Sequence, residues 1–110
     1  MAANTRYYIL ANYAHRAIAG MVQAPSDRAA AVRKICKSVG AKFISLDMCR
    51  GAFDIVAIIE ADSFDKALGL KMAVVASGAI SELHILEALD PAAALEHAAA
   101  AAKAYTPPAG

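Results

Sequence analysis

Hydrophobic and polar positions follow one another along this chain in two periods, two residues and about 3.6, that mark a succession of strands and helices. Residues 6–13, Arg-Tyr-Tyr-Ile-Leu-Ala-Asn-Tyr, carry apolar side chains on both alternating faces, which suits a strand covered on each side. Residues 14–23 have helical composition interrupted by Gly20. They stop at Ala24-Pro25-Ser26-Asp27, where Ser26 or Asp27 can cap a new helix through its side-chain oxygen. That helix, 27–39, gathers Ala31, Val32, Ile35, Cys36 and Val39 on one stripe and stops at Gly40. Residues 41–48 alternate Lys42, Ile44, Leu46 and Met48 against Ala41, Phe43, Ser45 and Asp47, the period of a second strand.

Cys49-Arg50-Gly51-Ala52 has the length and the glycine of a hairpin loop, and residues 53–60 are again apolar on both faces. Asp62-Ser63 can cap a helix over 64–76, where Phe64, Ala67, Leu68, Lys71, Met72 and Val75 repeat at helical spacing before Ser77-Gly78 ends it. Residues 80–89 set Leu83, Ile85 and Leu89 against Ile80, Glu82, His84 and Leu86, a fourth strand. Asp90-Pro91 then opens an alanine-rich helix over 92–104. Its one large aliphatic is Leu95, so it docks lightly or lies along a neighbouring subunit.

Strand, helix, strand, strand, helix, strand is the split βαβ order of an α+β, ferredoxin-like βαββαβ fold. Right-handed crossovers place the first and third strands in the middle of a four-stranded antiparallel sheet, with the helices on one face. Those two strands are the ones apolar on both sides, whereas the second and fourth have the polar members that edges need. The other face of the sheet would present Ile9 or Leu10, Ile55 or Val56, and Phe43 or Ile44 to water. This predicts a homodimer or higher homo-oligomer that packs the open face against a copy of itself. The domain is expected over 6–90, with a helix over 91–104 and disordered flanks at 1–5 and 105–110.

Composition sharpens that expectation. At 110 residues the chain is one domain, and its 59% hydrophobic content overstates its core, because 29 residues are alanine and ten of those follow position 90. A domain this small buries only about two thirds of its unfolded surface, which again favours self-association. A net charge of +1 with no concentration of basic residues argues against nucleic acid as a partner. Arg28, Arg33, Lys34 and Lys37 read as the solvated face of their helix rather than a phosphate site. Cys36 and Cys49 lack any zinc-like spacing and read as reduced small hydrophobes. No apolar stretch is long enough to span a bilayer, and the N-terminus lacks a secretory profile, so a cytoplasmic protein without membrane contact is expected.

Candidate chemistry follows from topology. Asn12, at the end of the first strand, and Asp54, at the start of the antiparallel third, can face one another, with Ser81 nearby and Arg50 as a possible salt-bridge partner of Asp54. The structural reading of Asp54 is a cap on the hairpin turn. His84 shares a face with Glu82 and Leu86, a face that would line the space between paired sheets. It could bind a ligand or relay a proton there, although one His and one carboxylate fall two ligands short of a typical metal site. Tyr7, Tyr8 and Tyr13 could stack on a flat ligand, or fill the core. His15 and His97 have no evident partner, and neither a Gly-rich phosphate loop nor a recognisable nucleophile arrangement appears. Candidate ligand-binding residues are therefore Tyr8, Asn12, Asp54, Glu82 and His84, with no metal ligands and no catalytic residue or cofactor assigned.

Several segments together resemble the GYD domain family over residues 6–90. They are Tyr8-Ile9-Leu10-Ala11-Asn12-Tyr13, Ala24-Pro25-Ser26-Asp27-Arg28, Gly51-Ala52-Phe53-Asp54 leading into Ile55 to Ala61, and Ser77-Gly78-Ala79-Ile80 before Glu82 to Leu86. The family's name motif is matched by Gly51, Phe53 and Asp54, with phenylalanine where tyrosine is usual. The resemblance implies a fold similar to the dimeric α/β-barrel group and no established activity. The leading expectation is a homo-oligomeric domain for small-molecule binding or assembly, with a cleft between subunits and no catalysis. The alternatives are a cofactor-free, haem or metal-dependent enzyme in that cleft using His84, Asp54 and Asn12, or a module that binds a partner through its last helix.

Overall fold

The computed structural model describes residues 4–109. In chain order it contains β1 (Thr5–Tyr13), α1 (His15–Gln23), α2 (Arg28–Ser38), β2 (Lys42–Met48), β3 (Ile55–Ala61), α3 (Phe64–Ala76), β4 (Ile80–Glu87) and α4 (Ala92–Ala104). The strands form one antiparallel sheet in the order β2-β3-β1-β4, so the two strands apolar on both faces are the central ones. With α2 and α3 as its crossovers, this is the ferredoxin-like arrangement. Of the flanks expected to be disordered, 1–5 and 105–110, residues 1–3 and 110 lie outside the described residues, and Thr5 is the first residue of β1, paired with Ala61.

Local chemistry sets the element ends. The Asp27 carboxylate accepts from the Ala30 amide at 3.0 Å and caps α2. At the other end Ala41 N–H donates to Cys36 O and Gly40 N–H to Lys37 O, the paired bonds of a Schellman stop. The Asp90 carboxylate takes the Ala92 amide at 3.0 Å at the start of α4. β3 begins at Ile55, later than its apolar run suggests, because Phe53 and Asp54 belong to the loop that the Cys49 N–H to Asp54 O bond closes.

Parity divides the sheet. Ile55, Ala57, Ile59 and Ala61 of β3 are all buried, and they pair with Ala11, Ile9, Tyr7 and Thr5 of β1 on the face that α2 and α3 cover. The core there joins Tyr7, Ile59 and Ala61 to Cys36 of α2 and to Ala67 and Leu70 of α3. Each full burial of a side chain such as Ile59 contributes about 1.5–3 kcal/mol. Burial also pushes the Cys36 thiol pKa up, so it stays protonated and inert. Arg33, on the outer part of α2, lies over the Phe43 ring at 4.7 Å and covers the sheet margin.

The helical composition of residues 14–23 gives a separate helix, α1, which buries none of its residues. It is fastened at one end, where Ala14 N–H donates to Ala79 O at 2.7 Å and the Arg16 guanidinium donates to Ser77 O at the C-terminus of α3. Two features depart from the periodicity. The inward stripe of α3 is Ala67, Leu70 and Val74, whereas Phe64, Met72 and Val75 are 44%, 63% and 43% exposed. That helix is apolar nearly all round, so spacing alone does not choose its buried stripe. Finally, a register shift between Asn12 and Tyr13 pairs Tyr13 with Ile80 and turns Ile80 under the helices, away from Glu82 and His84.

The last helix stands clear of the rest. No residue of α4 is buried, and Leu89, Leu95 and Tyr105 are 73%, 63% and 66% exposed. The radius of gyration is 18.1 Å, against about 13 Å for a compact chain of roughly 100 residues.

Two glycines make opposite predictions. Gly78 has φ +78°, and an added Cβ would meet the Arg16 guanidinium, so Gly78→Ala should cost about 1–2 kcal/mol. Gly69 lies within α3 with open space around it, so Gly69→Ala should stabilise by about 0.5–1 kcal/mol. Urea melts of the two variants check both signs.

Candidate functional site

Whereas Tyr7 is in the core and Tyr13 lies on the side of the helices, the five candidate ligand-binding residues lie towards one region, the uncovered face of the sheet. Register puts Tyr8, Leu10 and Asn12 of β1 on this side, opposite Ile58 and Val56 of β3 and beside Leu86, His84 and Glu82 of β4. Tyr8, Leu10, Val56 and Ile58 are half-buried, and Leu86 is 56% exposed. At one margin Arg6 meets Glu60 at 3.2 Å. The resulting surface is an apolar centre with compensated charges at its ends.

Asn12 and Asp54 do come together, and both are engaged by the backbone. The Asn12 side-chain carbonyl accepts from Asp54 N–H at 3.0 Å, and the Asp54 carboxylate accepts from Tyr13 N–H at 3.0 Å. The Asn12 amide also donates to Ala52 O at 3.2 Å. Each strand thus holds the other's main chain where the β1–β3 ladder ends, on the side of the hairpin loop. The Ser81 hydroxyl donates to Asn12 O at 3.3 Å and joins β4 to the same junction. Among the described residues Asp54 makes no ion pair with Arg50; its partner is the Tyr13 amide. A carboxylate fixed in this way anchors the hairpin to β1.

Glu82 and His84 form the polar group that remains accessible. His84 Nε2 lies 2.6 Å from a Glu82 carboxylate oxygen, and both side chains are about half exposed. The hydrogen bond from His84, assisted by Asn12, holds the Glu82 carboxyl below the usual glutamate range. The Phe53 ring reaches back from the hairpin loop and meets the imidazole edge-on, with centroids 5.5 Å apart at 73°. This group can present one imidazole and one carboxylate against an aromatic wall. No cluster of three or more His, Cys, Asp or Glu side chains suited to a metal occurs among the described residues.

The sequence reading missed a second concavity on the opposite side of the sheet. α2 packs over β2, and α3 over β4 and β3, which leaves a gap above the middle of the sheet. Ala11 and Ala57 floor it with small side chains, Val32, Ile35 and Val74 wall it, and a cavity of about 130 Å³ results. Tyr13, Arg28, Lys71 and Ser77 supply its polar lining, and all four keep some exposure. Burial raises the Tyr13 phenol pKa, and the neighbouring Arg28 guanidinium opposes that rise. Arg28, expected on the solvated face of its helix, is thus turned partly inward. A run of inward alanines on the central strands was the available signal, and in so alanine-rich a chain it does not stand out.

Fold and face together define a ferredoxin-like α+β domain with a single helical layer and an open sheet. The GYD domain family model matches residues 7–98, and the chain belongs to that family. The match takes in the first half of α4 as well as the sheet. The comparison with curated proteins finds no match, and neither does the comparison with solved structures. No helix among the described residues is long and apolar enough to cross a membrane.

Two predictions arise from these polar groups. Asp54→Ala should cost about 1–3 kcal/mol, because it takes the side-chain acceptor from the partly buried Tyr13 amide, whereas Asn12→Ala should cost less, because the Asp54 amide keeps Ala11 O at 3.1 Å as its acceptor. The double variant should cost less than the sum, as both substitutions loosen one junction; additive losses in denaturant melts would contradict this. For Glu82 the folded pKa is depressed, so its contribution is present above the usual carboxylate range and is lost as pH falls through the folded value. Carboxyl-detected NMR should find its midpoint low, and His84→Ala should return it towards an ordinary glutamate value.

Proposed function

We propose that the protein is a homo-oligomeric domain for assembly and small-molecule binding, and that the open sheet face is its assembly surface. The observation that carries the reading is the continuous band of Tyr8, Leu10, Val56, Ile58 and Leu86, flanked by charges that already compensate one another. Exposed apolar patches of this kind cost free energy in water and mark association sites. Their pairing within the face, Arg6 with Glu60 and Glu82 with His84, leaves little charge to repel an identical surface. A two-fold arrangement is the simplest that buries such a face in both copies. The Glu82–His84 pair and Phe53 would then line the cleft between copies. The outstretched α4, with Leu95 and Tyr105 exposed, supports the reading, since a neighbouring copy would give it a surface to cover.

Sedimentation at micromolar concentration should find a dimer or larger species. Leu10→Glu and Val56→Glu should each shift it to the monomer while the circular dichroism stays unchanged, because both positions lie outside the helix-covered core. A wild-type chain that sediments as a stable monomer would sink the proposal.

A further inference from the structure

The cavity between the helices and the sheet has features of a ligand site that the open face lacks. Its floor is apolar and buried, formed by Ala11, Ala57 and Ile55. At about 130 Å³ it is close in size to an apolar cavity of about 150 Å³ that takes up benzene. A single aromatic ring is therefore the largest flat body it accepts without rearrangement.

Charge narrows the choice further. Among the described residues the charged side chains of the lining are Arg28 and Lys71, and no carboxylate lines the space. Arg28 bonds the Ser26 hydroxyl at 3.0 Å and sits beside the Tyr13 phenol, both uncharged partners. Neither cation forms a salt bridge among the described residues. Two unpaired cations over an apolar floor favour an anion with a hydrophobic body. A planar carboxylate fits the arginine fork, while the Tyr13 hydroxyl is already turned to Met48 Sδ at 3.9 Å and leaves the two cations as the carboxylate's partners. Phosphate is less well served. The Asp27 carboxylate already occupies the Ala30 amide at the start of α2, and its charge lies where a phosphate dianion would seek amide donors.

We propose that this cavity binds a small aryl carboxylate, its ring against Ala11 and Ala57 and its carboxylate between Arg28 and Lys71. The site deepens the small-molecule half of the functional reading and moves the ligand from the cleft between copies to the interior of each copy. It does not depend on self-association, because it lies on the other side of the sheet.

The test titrates the full-length protein with benzoate and with benzyl alcohol, a neutral probe of similar size, following backbone amides by NMR. Benzoate should saturate with shifts centred on Ala11, Ala57 and Val74 rather than on Leu10, Val56 or His84. Arg28→Gln combined with Lys71→Gln should weaken benzoate by about tenfold or more, while benzyl alcohol changes less than about twofold. Filling the space with Ala57→Leu, or independently from the helix with Val74→Phe, should abolish binding of both probes in whichever variant retains its amide spectrum. The proposal is overturned if benzoate fails to saturate, if removing both cations leaves its affinity unchanged, or if the shifts map to the open face. Sedimentation of the same samples reads the assembly surface separately, so the failure of one reading is distinguishable from the failure of the other.

Discussion

A single layer of helices against a sheet whose central strands are apolar on both sides is the constraint from which the rest of this molecule follows. Parity decides which half of each strand the helices receive. On β3 the odd positions Ile55, Ala57, Ile59 and Ala61 are buried, and the even positions Val56, Ile58 and Glu60, like Asp54 just before the strand, are only half so. A slip of one residue would carry Asp54 and Glu60 beneath α2 and α3. Burying a carboxylate without a partner costs several kcal/mol, far more than the slipped apolar contacts could return. The ladder is also pinned at both ends, by the Asn12 and Asp54 bonds to the main chain at one and by the Arg6–Glu60 ion pair at the other. With the register fixed, the two sides acquire separate characters: a core with a cavity beneath the helices, and a broad apolar surface opposite.

That division explains which parts of the structure were legible in the sequence. The positions of β1 and β3 at the centre could be read because burial on two faces leaves two interleaved apolar sets, Ile9 with Ala11 and Tyr8 with Leu10. The α2 boundaries could be read because Asp27 and Gly40 act within a few residues of themselves. The buried stripe of α3 could not, since Leu70 and Val74 compete with Phe64, Met72 and Val75 for the inward position and only the tertiary contacts choose. Ile80 was misplaced for a related reason: a register shift against β1 breaks strict alternation and leaves no mark in composition.

The candidate site divides in the same way. Parity set Asn12 opposite Asp54 and put Glu82 with His84, because facing is a property of the ladder, and the register of the sheet brings both groups and Tyr8 to one face. The structural reading of Asp54 as a cap on the turn is the one its bond to the Tyr13 amide bears out, whereas Asn12, at a strand end, gave no sign that its carbonyl reaches the Asp54 amide. The cavity was invisible for a different reason. Its defining feature is the absence of side-chain volume at Ala11 and Ala57, combined with a gap between helices distant in sequence.

The family motif acquires a physical meaning in this geometry. Gly51 holds φ at +145°, a conformation that side chains disfavour, and so lets the loop turn back across the open face. Asp54 ties that loop to β1 through the Tyr13 amide, and Phe53 carries it over β1 to rest against His84 of β4. Three neighbouring residues therefore make the turn, fix it to the adjacent strand and brace it on the strand beyond. The phenylalanine in place of the usual tyrosine keeps the ring and gives up a hydroxyl, and the contact it makes with the imidazole is an edge-to-face one that needs no hydroxyl. In this chain the motif works as a brace, and it sets the wall against which the Glu82–His84 pair stands. Whatever meets that pair across the open face, a second copy included, meets the aromatic edge of Phe53 with it.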